Sequence, residues 1–201
     1  MKRFLPIFLF VVFISTQSFA AGFEAKAETH VKSLVNEGIS IIAQDEVDMS
    51  VKKKEFYTLL KKYFDIPTIS RFVLGRYWKN VDDSQKQEYV DLFETMIVEI
   101  YSNRFEGYTD EEVEIVSSRS VNDRDVIVSS RLIFKDKRAP LPLEWRVRNQ
   151  NGKPQVIDLV VEGVSMSVTQ RSDFNSVLKN SDGDIDVLLE KMREKYTVAE
   201  K

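Results

Sequence analysis

The sequence predicts an α+β fold: N-terminal helices packed on a curved antiparallel sheet of about four strands, followed by C-terminal helices. Three observations carry this reading. Apolar residues recur at i, i+3 and i+4 through roughly the first half of the chain, then at i, i+2 from Val113 to Val161. Residues 156–161, Val-Ile-Asp-Leu-Val-Val, read as a strand covered on both faces, and Glu162-Gly163 turns that strand sharply into a second helical pattern. Short turn sequences such as Asn149-Gln150-Asn151-Gly152 separate the strands, so sequential neighbours pair antiparallel.

Taken in order, the chain opens with a targeting signal. Lys2 and Arg3 precede an apolar run, residues 4–14, broken only by Pro6, and Ser18-Phe19-Ala20 supplies small residues for a signal peptidase. The expected signal peptide is 1–21, cleaved after Ala20 or Ala21, leaving 22–201 as a single domain. Neither that run nor any later one is long enough to span a bilayer. With no cysteine, neither a disulfide nor an N-terminal lipid can form. The expected product is exported and unanchored, which in a Gram-negative cell means the periplasm. Without Lys2 and Arg3 it carries 27 basic against 32 acidic side chains, which argues against nucleic acid.

In residues 23–44, Ala27, Val31, Leu34, Val35, Gly38 and Ile42 form one apolar stripe. His30, the only histidine, sits beside it with no ligand-type neighbour and reads as an ordinary surface or boundary residue. Lys52-Lys53-Lys54 reads as a solvated run before a short helix carrying Phe56, Leu59, Leu60 and Tyr63. Asp65 and Pro67 open the next helix as N-cap and first-turn residue, Ile69, Phe72 and Val73 form its apolar face, and Gly75 stops it. Ser84-x-x-Gln87 reads as a capping box opening residues 84–106, the longest predicted element. Its inner face carries Tyr89, Phe93, Met96, Ile97, Ile100, Tyr101 and Phe105.

Val113 and Ile115, then Val126, Val128, Leu132 and Phe134, then Leu143, Trp145 and Val147 alternate with polar neighbours as one-sided strands. After the corner, Val164, Val168 and Arg171 fall at helical spacing in residues 164–178, and 185–196 form a last helix. Asp182-Gly183-Asp184-Ile185-Asp186 lacks the ligand order of a calcium loop and reads as a helix cap.

Chemistry is sparse. Gly163-Val164-Ser165-Met166-Ser167 is one residue short of a nucleophile elbow, and the lone histidine lies well upstream, so Ser165 has no base to activate it. It reads as a capping serine. No carboxylate pair, thiol or soft-metal cluster, or phosphate-cradling glycine loop suits catalysis, and the expectation is a non-enzyme. Long helices over one curved sheet form a cone or half-barrel, which either fills with side chains or holds an apolar ligand. Periodicity leaves both outcomes open, with solid core the commoner one.

Asp158-x-x-Val161-Glu162-Gly163-Val164-Ser165-Met166 with Arg171-x-x-Phe174 resembles the hallmark of the MlaC-like, toluene-tolerance family. So does Phe64-Asp65 followed by Leu74-Gly75-Arg76-Tyr77-Trp78, Gln87 and residues 89–93. The resemblance implies an NTF2-like cone and a periplasmic phospholipid carrier between inner and outer membranes, maintaining outer-membrane lipid asymmetry. Phospholipid is its ligand, with no cofactor. Implied partners are an inner-membrane ABC transporter complex with a membrane-anchored lipid-binding ring, and an outer-membrane lipoprotein–porin complex.

On that reading Phe72, Phe93, Ile97, Ile100, Tyr101, Val126, Val128, Leu132, Leu143, Trp145, Val147, Leu159 and Val168 line an acyl-chain tunnel. Asp158, Gly163, Ser165 and Arg171 hold the corner, with Asp158 either salt-bridged, to Arg171 for example, or capping a helix. Trp78 borders the tunnel or anchors the helix loop. A binding protein for a hopanoid, sterol or quinone is the rival, requiring a wider and shorter cavity. A lipid-processing enzyme would need a pocket acid or base.

Overall fold

The structure is a computed structural model that describes residues 17–44, 46–103, 105, 111–136 and 138–196, with side chains from Gly22 onward. Among the described residues, six α-helices and a five-stranded antiparallel sheet in the order β1-β2-β3-β4-β5 confirm the α+β class. The helices are α1 Gln17–Ile42, α2 Met49–Tyr63, α3 Ile66–Leu74, α4 Asp83–Ser102, α5 Met166–Asn180 and α6 Ile185–Tyr196, with a 3-10 turn Gly75–Asn80 after α3. The strands are β1 Glu112–Ser120, β2 Asp125–Ile133, β3 Leu141–Gln150, β4 Lys153–Val161 and the two-residue β5 Val164–Ser165.

Four strands are those the alternation predicts. The fifth is new, because Val164 and Ser165 pair back onto β4 before the helix starts at Met166. Its hairpin turn has Glu162 and Gly163 both at positive φ, and the β3–β4 turn has Asn151 and Gly152 likewise, the backbone that right-twisted two-residue hairpins require. Of the targeting segment, 1–16 lie outside the described residues, and the backbone is already helical from Gln17. No helix among the described residues is long and apolar enough to cross a membrane.

At 26 residues α1, not α4, is the longest element. The capping box of α4 forms two residues earlier than predicted. Asp82 Oδ1 accepts from Gln85 N–H at 2.8 Å, and Gln85 Oε1 accepts from Asp82 N–H at 3.2 Å. A carboxylate is the stronger acceptor at the positive helix end, so Asp82 displaces Ser84 from the cap. The three lysines are not a solvated run either. Lys52 Nζ donates to the Ile42 carbonyl at 3.0 Å, closing the end of α1, and Lys53 pairs with Glu99 at 2.7 Å; only Lys54 is fully exposed.

Buried side chains form two clusters. One joins α3, α4, α5 and α6 through Val73, Leu74, Tyr89, Phe93, Leu178 and Leu188. The other joins α1 and α2 to the inner sheet face through Ala27, Val31, Val126, Val128, Val147 and Val156. The two halves are tied at the α2–α3 junction, where Asp65 caps α3 and its own N–H donates to the Val156 carbonyl at 3.0 Å.

Gly75 closes α3 at φ 61° and ψ −124°, a conformation almost reserved for glycine, and a Cβ there would lie 2.9 Å from Arg171 Nη2. Gly75→Ala is therefore expected to destabilise the fold by about 2 kcal/mol, from backbone strain and displacement of Arg171. Urea unfolding measures this, and an unchanged midpoint would refute the α3–α5 contact as a stabilising one.

Candidate ligand cavity

Between the two clusters lies an open-ended cavity of about 510 Å³. Its walls come from both. Leu34, Val35, Gly38, Ile39 and Ile42 of α1 and Phe56, Leu59 and Leu60 of α2 face Phe93, Met96, Ile97, Ile100 and Tyr101 of α4. The sheet contributes Leu132, Leu143, Trp145 and Leu159. Mid-helix glycine is normally unfavourable. At Gly38 an added Cβ would meet nothing within 4 Å, so the missing side chain leaves room at the wall.

A bulge in β4 sets the sheet wall. Val147 pairs with Val156 but Arg146 pairs with Asp158, so Ile157 is an extra residue. Val156 and Leu159, three apart, consequently both serve the inner face, and Leu159 pairs with Trp145 across the strands. The inward polar residue of β2 is explained here too. Trp145 Nε1 donates to Ser130 Oγ at 2.9 Å, so the indole is buried with its N–H satisfied.

Of the thirteen tunnel residues read from sequence, Phe93, Ile97, Ile100, Tyr101, Leu132, Leu143, Trp145 and Leu159 line this cavity. Val126, Val128 and Val147 do not. They are packed solid in the cluster with α1, at most 1% exposed. Phe72 and Val168 are corrections of another kind, standing 41% and 54% exposed on the outer surface. The buried stripe of α3 is Ile66, Ile69, Ser70, Val73 and Leu74, and that of α5 is Ser167, Phe174 and Leu178, which turns Phe72 and Val168 outward. The α1 and α2 walls were visible as apolar stripes but carried no sign that they face a space.

Polar lining residues are few: Glu111 before β1, and Asp158, Ser167 and Gln170 where β4 meets α5. Asp158 makes no salt bridge with Arg171. Its Oδ2 accepts from Ser165 Oγ at 2.6 Å, and its Oδ1 accepts from Ser167 Oγ at 2.8 Å and Ser167 N–H at 3.1 Å. The carboxylate thus faces the positive end of α5, the capping alternative, and neutralises first-turn donors there. Ser165 Oγ also accepts from Val168 N–H at 3.1 Å, which makes it the helix cap. Arg171 instead lies over the Phe72 ring, 4.9 Å from its centroid, and against Gly75. His30 Nε2 donates to the Tyr63 carbonyl at 3.0 Å, between α1 and α2, and burial lowers its pKa. Trp78 packs against the helical cluster, edge-on to Tyr89 at 6.4 Å, and is absent from the cavity lining.

Fold and site together define an α+β protein holding a large apolar cavity between two separate cores. A family model described as MlaC protein matches residues 32–194. The chain belongs to the MlaC family. Among curated relatives, the intermembrane phospholipid transport system binding protein MlaC of Haemophilus influenzae is 28% identical over 138 residues. That match covers 67% of this chain and 64% of the relative, so it spans less than two thirds of the relative's length. Among solved structures, a phospholipid-binding protein from Ralstonia solanacearum in complex with a phospholipid superposes with a TM-score of 0.75 at 21% identity. It covers 86% of this chain and 97% of that one, which fixes the fold.

Proposed function

We propose that this protein is a periplasmic phospholipid carrier, exported by a signal peptide within residues 1–21, that holds acyl chains in the cavity between its two cores. The observation that carries this is the cavity itself. An open-ended space of about 510 Å³ walled almost wholly by apolar side chains leaves apolar surface uncovered that close packing would otherwise bury. A fold that keeps such a space open uses it, and the lining selects aliphatic chains. Two acyl chains exposed to water cost on the order of 20 kcal/mol, so a soluble carrier must replace nearly all of that contact.

Loading from an equally apolar bilayer leaves little net transfer energy, and docking sets direction. In this reading the protein shuttles lipid between an inner-membrane ABC transporter complex, with its membrane-anchored lipid-binding ring, and an outer-membrane lipoprotein–porin complex, and so maintains outer-membrane lipid asymmetry. The ligand is phospholipid and no cofactor takes part. The protein acts without catalysis, since the Ser165 hydroxyl is committed to Asp158 and to the α5 cap.

Native mass spectrometry of the exported protein, purified without detergent, tests the proposal. The expected spectrum shows a bound mass equal to a diacyl phospholipid on a chain that begins after Ala20 or Ala21. A folded chain that stays empty after incubation with vesicles overturns the carrier reading. A hopanoid, sterol or quinone mass moves the cavity to another ligand.

A further inference from the structure

Opposite in character to the acidic chain as a whole is one face built from α3, the 3-10 turn and α5. The full chain has a formal charge of −3. Yet Arg71, Arg76, Lys79, Arg171 and Lys179 gather here, and none has a carboxylate within ion-pair distance among the described residues. The three arginines stand over aromatic rings instead. Arg171 lies over Phe72 and Arg76 over Tyr77, each 4.9 Å from the ring centroid, and Arg71 lies 6.0 Å from Trp78. Phe72, under Arg171, and Val168, one turn before Arg171 on α5, are exposed beside them. A polar crevice is lined by Arg76, Tyr77, Asn80, Lys179, Asp182 and Gly183, with Gly183 at positive φ packed against the Tyr77 ring.

A guanidinium held over a ring keeps N–H groups free for phosphate or carboxylate, although Arg76 gives one of its own, from Nη2, to Tyr77 Oη at 2.9 Å. Tyrosine and tryptophan rings sit well at a membrane–water interface, where one edge is apolar and the other wet. The crevice sets two cations, Arg76 and Lys179, against one carboxylate, Asp182, a net positive site for a protruding anionic group. We infer that this face docks the protein reversibly on an anionic phospholipid bilayer, with headgroup phosphates meeting the unpaired arginines and lysines. A bilayer supplies phosphate at every position the cations occupy, whereas an acidic protein would need a matched carboxylate for each. The inference holds whatever the cavity carries.

Co-sedimentation of the full chain tests it, with vesicles of equal parts phosphatidylcholine and phosphatidylglycerol against vesicles of phosphatidylcholine alone. The N-terminal residues, Lys2 and Arg3 among them, are the same in every variant, so the readout is the change between variants in the increment due to phosphatidylglycerol, at low and high salt. Each cation removed should weaken that increment about fivefold, and Arg71→Gln, Arg76→Gln and Lys179→Gln together about a hundredfold. Lys179→Gln alone keeps the test usable should the triple variant fold poorly. Lys26→Gln, Lys54→Gln and Lys153→Gln change the net charge equally at exposed sites on other elements and should leave the increment unchanged.

Equal losses in both triple variants, or an increment insensitive to salt, overturn the inference. So does a triple variant that binds the mixed vesicles normally while losing affinity for a polyglutamate peptide, which would hand the face to an acidic protein. Residence on vesicles is read here and lipid uptake is not, so failure of this test leaves the carrier proposal standing, and an empty cavity leaves this one standing.

Discussion

Ile97→Glu is expected to abolish phospholipid carriage while leaving the protein folded. Ile97 is partly exposed on α4 and lines the cavity between the two cores. A carboxylate there reaches water through the open end when the cavity is empty, so folding survives. With acyl chains bound, the same charge is stripped of water with no partner, at a cost of several kcal/mol, which corresponds to a loss of more than a hundredfold in affinity. Native mass spectrometry gives occupancy, and circular dichroism gives folding. Full occupancy in a folded Ile97→Glu protein would refute the cavity as the chain-binding site. The contrast is Val128→Asp. Val128 is 0% exposed and packed in the cluster with α1, so that variant should fail to fold.

Asp125→Ala is expected to remove about 3 kcal/mol of stability near pH 7. Asp125 is 1% exposed at the start of β2. Its carboxylate accepts from Arg148 Nε at 2.7 Å and Nη2 at 2.9 Å, and from Arg146 Nη2 at 2.7 Å and Nε at 3.0 Å. Hydrogen bonding from Arg148 first, and from Arg146 with both positive charges, outweighs burial and lowers its pKa from 3.8 to about 2. The folded value lies below the unfolded one, so Asp125 stabilises the fold fully above pH 3.8 and loses that contribution as pH falls toward about 2. Urea unfolding at a series of pH values should show the wild type and the Ala variant converging over that window. A constant difference down to the lowest pH would show that the arginine pairs are not its source.

How much of this was legible in the sequence varies by element. Asp65 as a cap, Gly75 as a stop and Asn151-Gly152 as a turn follow from local chemistry, since a short acceptor, a missing Cβ and a positive φ act within a few residues. The α4 face was read from spacing, and Phe93, Ile97, Ile100 and Tyr101 do line the cavity. Phe72 and Val168 were misplaced because a short helix offers two plausible stripes, and only the neighbouring helices decide which one is covered. The β4 bulge was invisible, since one extra residue in a nearly continuous apolar run leaves no break in the pattern.

The sequence by itself determined the order of helices and strands, the antiparallel pairing and the apolar faces, because each rests on periodicity and turn chemistry within a few residues. Whether an apolar residue meets another side chain or an open space was decided only by the tertiary structure. Val128 and Trp145 are cross-strand partners on one face. Val128 lies in the solid cluster with α1, while Trp145 borders the cavity. Their sequence patterns are alike, and the difference lies in which residues from the opposite layer reach each one. That is set by the packing of two separate cores, a property of the whole chain rather than of any segment.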